Sequence, residues 1–346
     1  MNTSSVPVVV LGATGMVGQR MIALLSNHPV FHIAAVAASA RSAGKTYAEA
    51  SNWVLEGNCP ADVGQMVVKN CDPKEMPGGV RIVLSALDRA VAGEIESAFA
   101  DAGYAVVTNA ASHRFTENVP LIVPEVNPDH LAMLDRQGPG CIVANPNCCA
   151  IPLALTLAPL HKRWGVEAVC VSTFQAVSGA GYPGESAWDM VGSVHPHAGN
   201  EEEKLAIEPL KILGSMDQSA DFPISARCVR VPVADGHLLG VQVKLKGNPS
   251  AAEVLAEFES WQGNGPDLRS CPRPPLAFSQ RRDRPSSRHD VQAGGGMTIT
   301  IGRVEDCPVM GVKYFALGHN TIRGAAGAAI ANAELLLVQG RVPHIS

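Results

Sequence analysis

Short apolar runs alternate with helical patterns through the first third of the chain. Residues 8–11 read as a buried strand and 17–25 as a helix with its apolar positions on one face. Residues 32–38, 80–86 and 105–108 read as further strands. This βαβ rhythm predicts an α/β fold with a doubly wound parallel sheet. Residues 142–144 add one more strand. The turn Asn145-Pro-Asn-Cys148 then leads into a helical stretch over 150–164, so a reactive group there lies at a strand-to-helix corner, where such sheets bind ligands.

After Gly165 the pattern lengthens into β-rich segments at 166–177, 226–246, 297–303 and 312–316. They predict an α+β second domain with a mixed, largely antiparallel sheet. Between them lie a Gly/Pro-rich stretch, 178–184, and a polar segment, 195–204, both too long for simple turns and suited to holding function. The Arg/Ser/Pro-rich 281–288 reads as a surface loop. Residues 321–338 are alanine-rich and helical. The expected division is a first domain over 1–147, with 321–346 packing back on it, and a second domain over 148–320.

Composition narrows the function. With 346 residues, 17% charged residues and a net charge of -5, the chain has the size for two domains and no basic excess to attract nucleic acid. The start, Met-Asn-Thr-Ser-Ser, has no basic segment or cleavage pattern. The longest apolar run, 324–338, is interrupted by Asn332 and Glu334, so a soluble, unprocessed, cytoplasmic chain is expected, with no membrane partner. Nine cysteines without a CxxC pair read as free thiols, and no metal site is expected.

Gly12-Ala-Thr-Gly15-Met-Val-Gly18 follows the first strand and opens a helix. Its glycines permit a tight turn and close backbone approach, and the helix start offers N–H groups to a pyrophosphate. The sheet is therefore expected to be Rossmann-type, with Gly12, Thr14, Gly15, Met16 and Val17 at the nucleotide. The second strand ends without the acidic residue that favours NAD. Ser39, Arg41, Ser42 and Lys45 follow instead, two hydroxyls and two cations suited to a 2′-phosphate, so NADP is the expected cofactor. A solvated basic loop would read the same way.

Asn147-Cys148-Cys149 sits at a helix start, where the dipole and N–H groups lower a thiol pKa and can face an oxyanion. Spacing alone leaves open that both cysteines simply fill the core.

Six separated motifs carry a family resemblance across nearly the whole chain. They are Gly12-Ala-Thr-Gly15-Met-Val-Gly18-Gln-Arg20, Asn145-Pro-Asn-Cys148, Gln175-Ala-Val-Ser-Gly-Ala-Gly-Tyr-Pro-Gly184, Glu201-Glu-Glu-Lys204, Arg230-Val-Pro-Val-Ala-Asp-Gly-His237 and His319-Asn-Thr-Ile-Arg-Gly-Ala-Ala-Gly327. Together they resemble the aspartate-semialdehyde dehydrogenases of archaeal and fungal type. The resemblance implies an NADP-dependent enzyme that converts aspartyl phosphate to aspartate semialdehyde through a cysteine thioester, for synthesis of the aspartate-family amino acids. It also implies a homodimer or homotetramer built on the second sheet, with small-molecule substrates.

Carried over residue by residue, the resemblance makes Cys148 the nucleophile, His237 the acid/base and Gln175 the residue that orients the acyl intermediate. Arg230 matches the residue that grips the substrate carboxylate, and Glu201 the one that meets its amino group. Arg114 and Lys204 fall in the phosphate pocket, with Asn147 fixing phosphate and loop. Ser85, Ser178, Gly179 and Asn320 resemble cofactor contacts. Cys149 departs from the Ser or Thr usual in the family. The bland readings are a solvated helix start for at least two of Glu201, Glu202 and Glu203, a core histidine for His237 and a structural ion pair for Arg230. Rival functions are a malonyl-CoA reductase on the same scaffold and a non-catalytic NADP-binding redox sensor.

Overall fold

The computed structural model describes residues 5–342; the expected C-terminal segment 321–346 therefore lies partly outside the described residues. Two compact units emerge. The first comprises the chain up to Ile122, Asp129–Asn145 and the chain from Ala326 onward, and the second comprises Val123–Pro128 and Pro146–Ala325.

The first unit is a six-stranded parallel sheet. Its strands are β1 (Val6–Leu11), β2 (Phe31–Ala38), β3 (Lys69–Asn70), β4 (Ile82–Ser85), β5 (Ala105–Thr108) and β6 (Cys141–Ala144), in the order β3-β2-β1-β4-β5-β6. Val8, Val9 and Val10, Ile82 to Leu84 and Val106 to Val107 are fully buried, which is why these strands are continuous apolar runs. The order reverses between β1 and β4, the switch point at which doubly wound sheets take nucleotides. Helix Arg89–Asp101 packs on β5 and β6, and Asp88 caps it by accepting the N–H of Ala90. Helix Gly327–Val338 packs on β4 and β5. It accounts for most of the helix expected over 321–338. The first turn, Ile322–Ala326, is instead a π-helix, wider than an α-helical turn.

The second unit contains a six-stranded mixed sheet. It is formed by β7 (Val166–Gln175), β8 (Ile224–Arg230), β9 (His237–Leu245), β10 (Leu276–Ser279), β11 (Ile299–Cys307) and β12 (Gly311–Gly318), ordered β10-β11-β12-β9-β7-β8. The pairs β7/β8 and β10/β11 are parallel and the other three antiparallel. The β-rich stretch 226–246 is two strands, not one. Pro232 lacks a ladder donor, and Gly236 takes φ +100°, so the chain turns there. Strand β7 alternates strictly near its end: Val171, Thr173 and Gln175 are buried, while Cys170, Ser172 and Phe174 lie on an open face. Helices Ala150–Arg163 and Ala251–Ser260 pack on this sheet, and Ala150–Arg163 also packs on helix Glu201–Leu213. Lys204, read as part of a polar loop, lies within that last helix. Among the described residues no helix is long and apolar enough to cross a membrane.

Candidate active site

Sheet register assembles the site. Gln175 ends β7 and pairs with Arg230, the last residue of β8, while His237 opens β9 opposite Gly318 at the end of β12. Four strand ends thus bring Gln175, Arg230, His237 and the following His319-Asn320 to one end of one sheet. Cys148 stands at the start of helix Ala150–Arg163, which packs on the same sheet.

Sγ of Cys148, Sγ of Cys149 and a ring nitrogen of His237 lie within 4.8 Å of one another. Cys148 is half-buried and Cys149 fully buried. The Cys148 thiol is held well below its ordinary value by a hydrogen bond from Cys149, with the imidazole of His237 adding to the effect against burial. Burial and that same hydrogen bond push Cys149 well up, so it stays a thiol and donates. Cys149 thus packs in the core beside the half-buried Cys148.

Nδ1 of His237 accepts the backbone N–H of Ala176 at 3.0 Å. The neutral ring therefore carries its proton on Nε2, a buried atom with no hydrogen-bond partner among the described residues. A protonated nitrogen can donate to a thiolate or an oxyanion, but it has no lone pair for a metal. Two glycines permit this crowding. A Cβ on Gly179 would stand 2.9 Å from Cε1 of His237 and 3.0 Å from Nη1 of Arg230, and one on Gly324, in the π turn, would meet Cys148.

Around this pair the polar groups are interlocked. Asn147 accepts the N–H groups of Cys149 and Ala150 on its Oδ1, donates its Nδ2 to Glu201 at 2.7 Å, and donates its backbone N–H to Glu208 at 2.6 Å. The helix-start donors expected to face an oxyanion are thus already taken at two positions. Burial alone would raise the Glu201 carboxyl, but Lys204 at 2.6 Å and Asn147 hold it below the usual range. Of its neighbours, Glu202 is half-buried, pairing with Arg227, and Glu203 is exposed. Arg230 is buried and donates Nη1 to Gln175 Oε1 and Ala176 O, and Nε to Glu185. Gln175 donates in turn to Thr173. Ser178 donates to Asp235 and accepts from Asn320, whose Oδ1 takes the Gly236 N–H, so these residues hold the turn that delivers His237.

Glu208, Glu185 and Asp235 escaped the sequence reading. Glu208 had a signal: Glu201, Leu205, Glu208 and Ile212 form one buried face of their helix.

The first unit holds the nucleotide motif. Gly12 has φ +69° and a Cβ there would lie 2.4 Å from Ala86 O; a Cβ on Gly18 would lie 2.3 Å from Gly12 O. Gly15, by contrast, is exposed and open, as a phosphate approach requires. Thr14, Met16 and Val17 are half-buried at the helix start. Ser39, Arg41 and Lys45 are exposed and Ser42 half-exposed in the turn after β2. The Ser85 hydroxyl is fully buried and donates to Glu96 at 2.5 Å, so its side chain faces the core. Arg114 is likewise buried, donating to the carbonyls of Asn109 and Asn145.

Two family models match in tandem: the semialdehyde dehydrogenase NAD binding domain over residues 7–134 and the semialdehyde dehydrogenase dimerisation domain over 157–323. The aspartate-semialdehyde dehydrogenase of Archaeoglobus fulgidus is 44% identical over 337 residues, 95% of this chain and 97% of that protein. That of Schizosaccharomyces pombe is 41% identical over 349 residues, 96% of this chain and 98% of its own. The crystal structure of aspartate semialdehyde dehydrogenase with NADP from Candida albicans superposes with a TM-score of 0.90 at 35% identity, covering 98% of this chain and 100% of that one. Sequence, domain order and fold agree from end to end: this chain belongs to the aspartate-semialdehyde dehydrogenase family.

Proposed function

We propose that the chain is an NADP-dependent aspartate-semialdehyde dehydrogenase, acting in biosynthesis of the aspartate-family amino acids, with Cys148 as its nucleophile. The observation that carries the residue assignment is the half-buried Cys148 thiol, shifted towards thiolate, beside an imidazole whose tautomer is fixed.

The thiolate attacks the acyl carbon of 4-aspartyl phosphate, the carbon–oxygen bond to phosphate breaks, and a thioester forms on Cys148. The lowered Cys148 pKa favours the thiolate that attacks. Nε2–H of His237 donates first to the sulfur and then to the oxyanion. Bound NADPH supplies the hydride that reduces the thioester carbon. The resulting alkoxide on Cys148 collapses to aspartate semialdehyde and releases the thiolate beside Cys149 and His237. Arg230 takes the substrate α-carboxylate, positioned by Gln175, and Glu201 meets the α-ammonium. Lys204, Arg114 and Asn147 are assigned to phosphate and its loop.

The open Gly15 between the two tightly packed glycines fits a pyrophosphate, with Gly12, Thr14, Met16 and Val17 around it. Exposed Arg41 and Lys45, with Ser39 and Ser42, fit the 2′-phosphate of NADP. Ser85, Ser178, Gly179 and Asn320 complete the assignment through backbone or positioning. The open face of the second sheet, with Phe174 exposed, is proposed to meet a second copy in a homodimer or homotetramer. Free thiols throughout suit the cytoplasm.

The test follows NADPH formation from aspartate semialdehyde with and without phosphate. Phosphate-dependent formation, abolished in Cys148→Ser while NADP still binds, is expected. Turnover surviving in Cys148→Ser would remove the nucleophile assignment.

A further inference from the structure

Arg230, proposed above to take the substrate carboxylate, already has a carboxylate on it. Its Nε donates to Oε1 of Glu185 at 3.2 Å, and Nη1 is spent on Gln175 and Ala176. A guanidinium receives a carboxylate two-pronged along one edge. With Nη1 committed inward, the remaining edge is Nε with Nη2, and Glu185 holds half of it. Nη2 alone has no partner among the described residues.

Glu185 is placed to stay there and also to leave. Its other oxygen lies 3.8 Å from Nδ1 of His195, and its side chain is about a third exposed. The surrounding strap is fastened at both ends. Val177 and Ser178 donate to Val233 and Ala234 at the start, and His195 and Arg230 exchange backbone hydrogen bonds at the finish. Between these ties Met190 is buried, while Trp188, Val191 and Val194 are exposed.

We propose that Glu185 is a specificity-determining residue, an internal anion that occupies the carboxylate seat on Arg230 and that an entering substrate must displace. The inference rests on the proposed assignment of Arg230. Its consequence is selective. A ligand with a carboxylate alone must enter against the displaced Glu185 charge, whereas an α-amino acid brings an ammonium that offsets that charge. The strap thus penalises plain carboxylates more than zwitterions of the same length.

The probes are succinate, a carboxylate without an amine, and aspartate semialdehyde. Glu185→Gln keeps the acceptor for Arg230 Nε and removes the charge; Glu185→Ala removes both. Succinate, titrated calorimetrically, is expected to bind Glu185→Gln on the order of tenfold more tightly than wild type, and Glu185→Ala at least as tightly. The KM for aspartate semialdehyde is expected to fall by less, with the change in KM rather than kcat. Unchanged or weaker succinate binding in both variants overturns the proposal, as does tightening that persists when Arg230→Gln is added. If wild type fails to oxidise aspartate semialdehyde, the functional reading falls, while the succinate comparison still tests Glu185 against Arg230.

Discussion

Gly324 and Cys148 touch so closely that a methyl group on the glycine would lie 2.6 Å from Cβ of the cysteine. The π turn Ile322–Ala326 brings this glycine in, and Arg323 beside it is clamped by a two-pronged ion pair to Glu125, both contacts at 2.7 Å. Cys148 is therefore held against backbone as well as side chains.

Gly324→Ala should destabilise the protein by about 1–3 kcal/mol, the usual effect of overpacking, and should slow turnover by displacing the thiol. Urea denaturation and the alkylation rate of Cys148 would show both. An alanine variant matching wild type in midpoint and rate would mean that the contact is not tight.

The thiolate makes a pH prediction. Because the Cys148 pKa is lowered, thiolate is present above that lowered value and lost as pH falls through it. Alkylation by iodoacetamide should therefore rise with pH well below the range of an ordinary thiol. Cys149→Ala, which removes the first of the stabilising donors, should move the inflection upward, whereas Cys149→Ser keeps an O–H donor and should stay near wild type. An inflection unmoved by Cys149→Ala would show that the neighbour donates nothing.

Arg230→Lys should raise the KM for aspartate semialdehyde by about tenfold or more, since one ammonium cannot hold Gln175, the Ala176 carbonyl and a two-pronged ligand together. Steady-state kinetics would read it, and an unaltered KM would leave Arg230 a purely structural cation.

Glu125→Gln should lower stability by about 3–5 kcal/mol, because Arg323 would remain buried without its countercharge. Burial favours a raised carboxyl at Glu125, but Arg323 outweighs it and the folded pKa is lowered. The stabilisation is thus complete above the unfolded carboxylate range and drains away as pH falls through the folded value. Urea unfolding at several acidic pH values should show this dependence in wild type and lose that component in the variant. Equal acid sensitivity in both would reject it.

Strand runs were legible because a parallel sheet buries both faces and leaves apolar words such as Val8-Val9-Val10 in the sequence. The motif Gly12/Gly15/Gly18 was legible too, because Gly12 and Gly18 each meet nearby backbone while Gly15 stays open. The groups that tie the site together were not. Glu208 serves Asn147 across 61 positions and Glu185 serves Arg230 across 45, and no spacing rule links such residues before the chain folds. Ser85, a cofactor contact by resemblance, gives its hydroxyl to a buried acid eleven residues on, Glu96, a link that no spacing rule announces.

The proton position on His237 is dictated by the main chain, since the donor to Nδ1 is the amide of Ala176. Every amino acid except proline carries that amide, so drift at residue 176 can alter packing without erasing the instruction. The ring's chemical polarity is thereby sheltered from most mutations at the site that sets it, and evolution must move the backbone itself to reverse it.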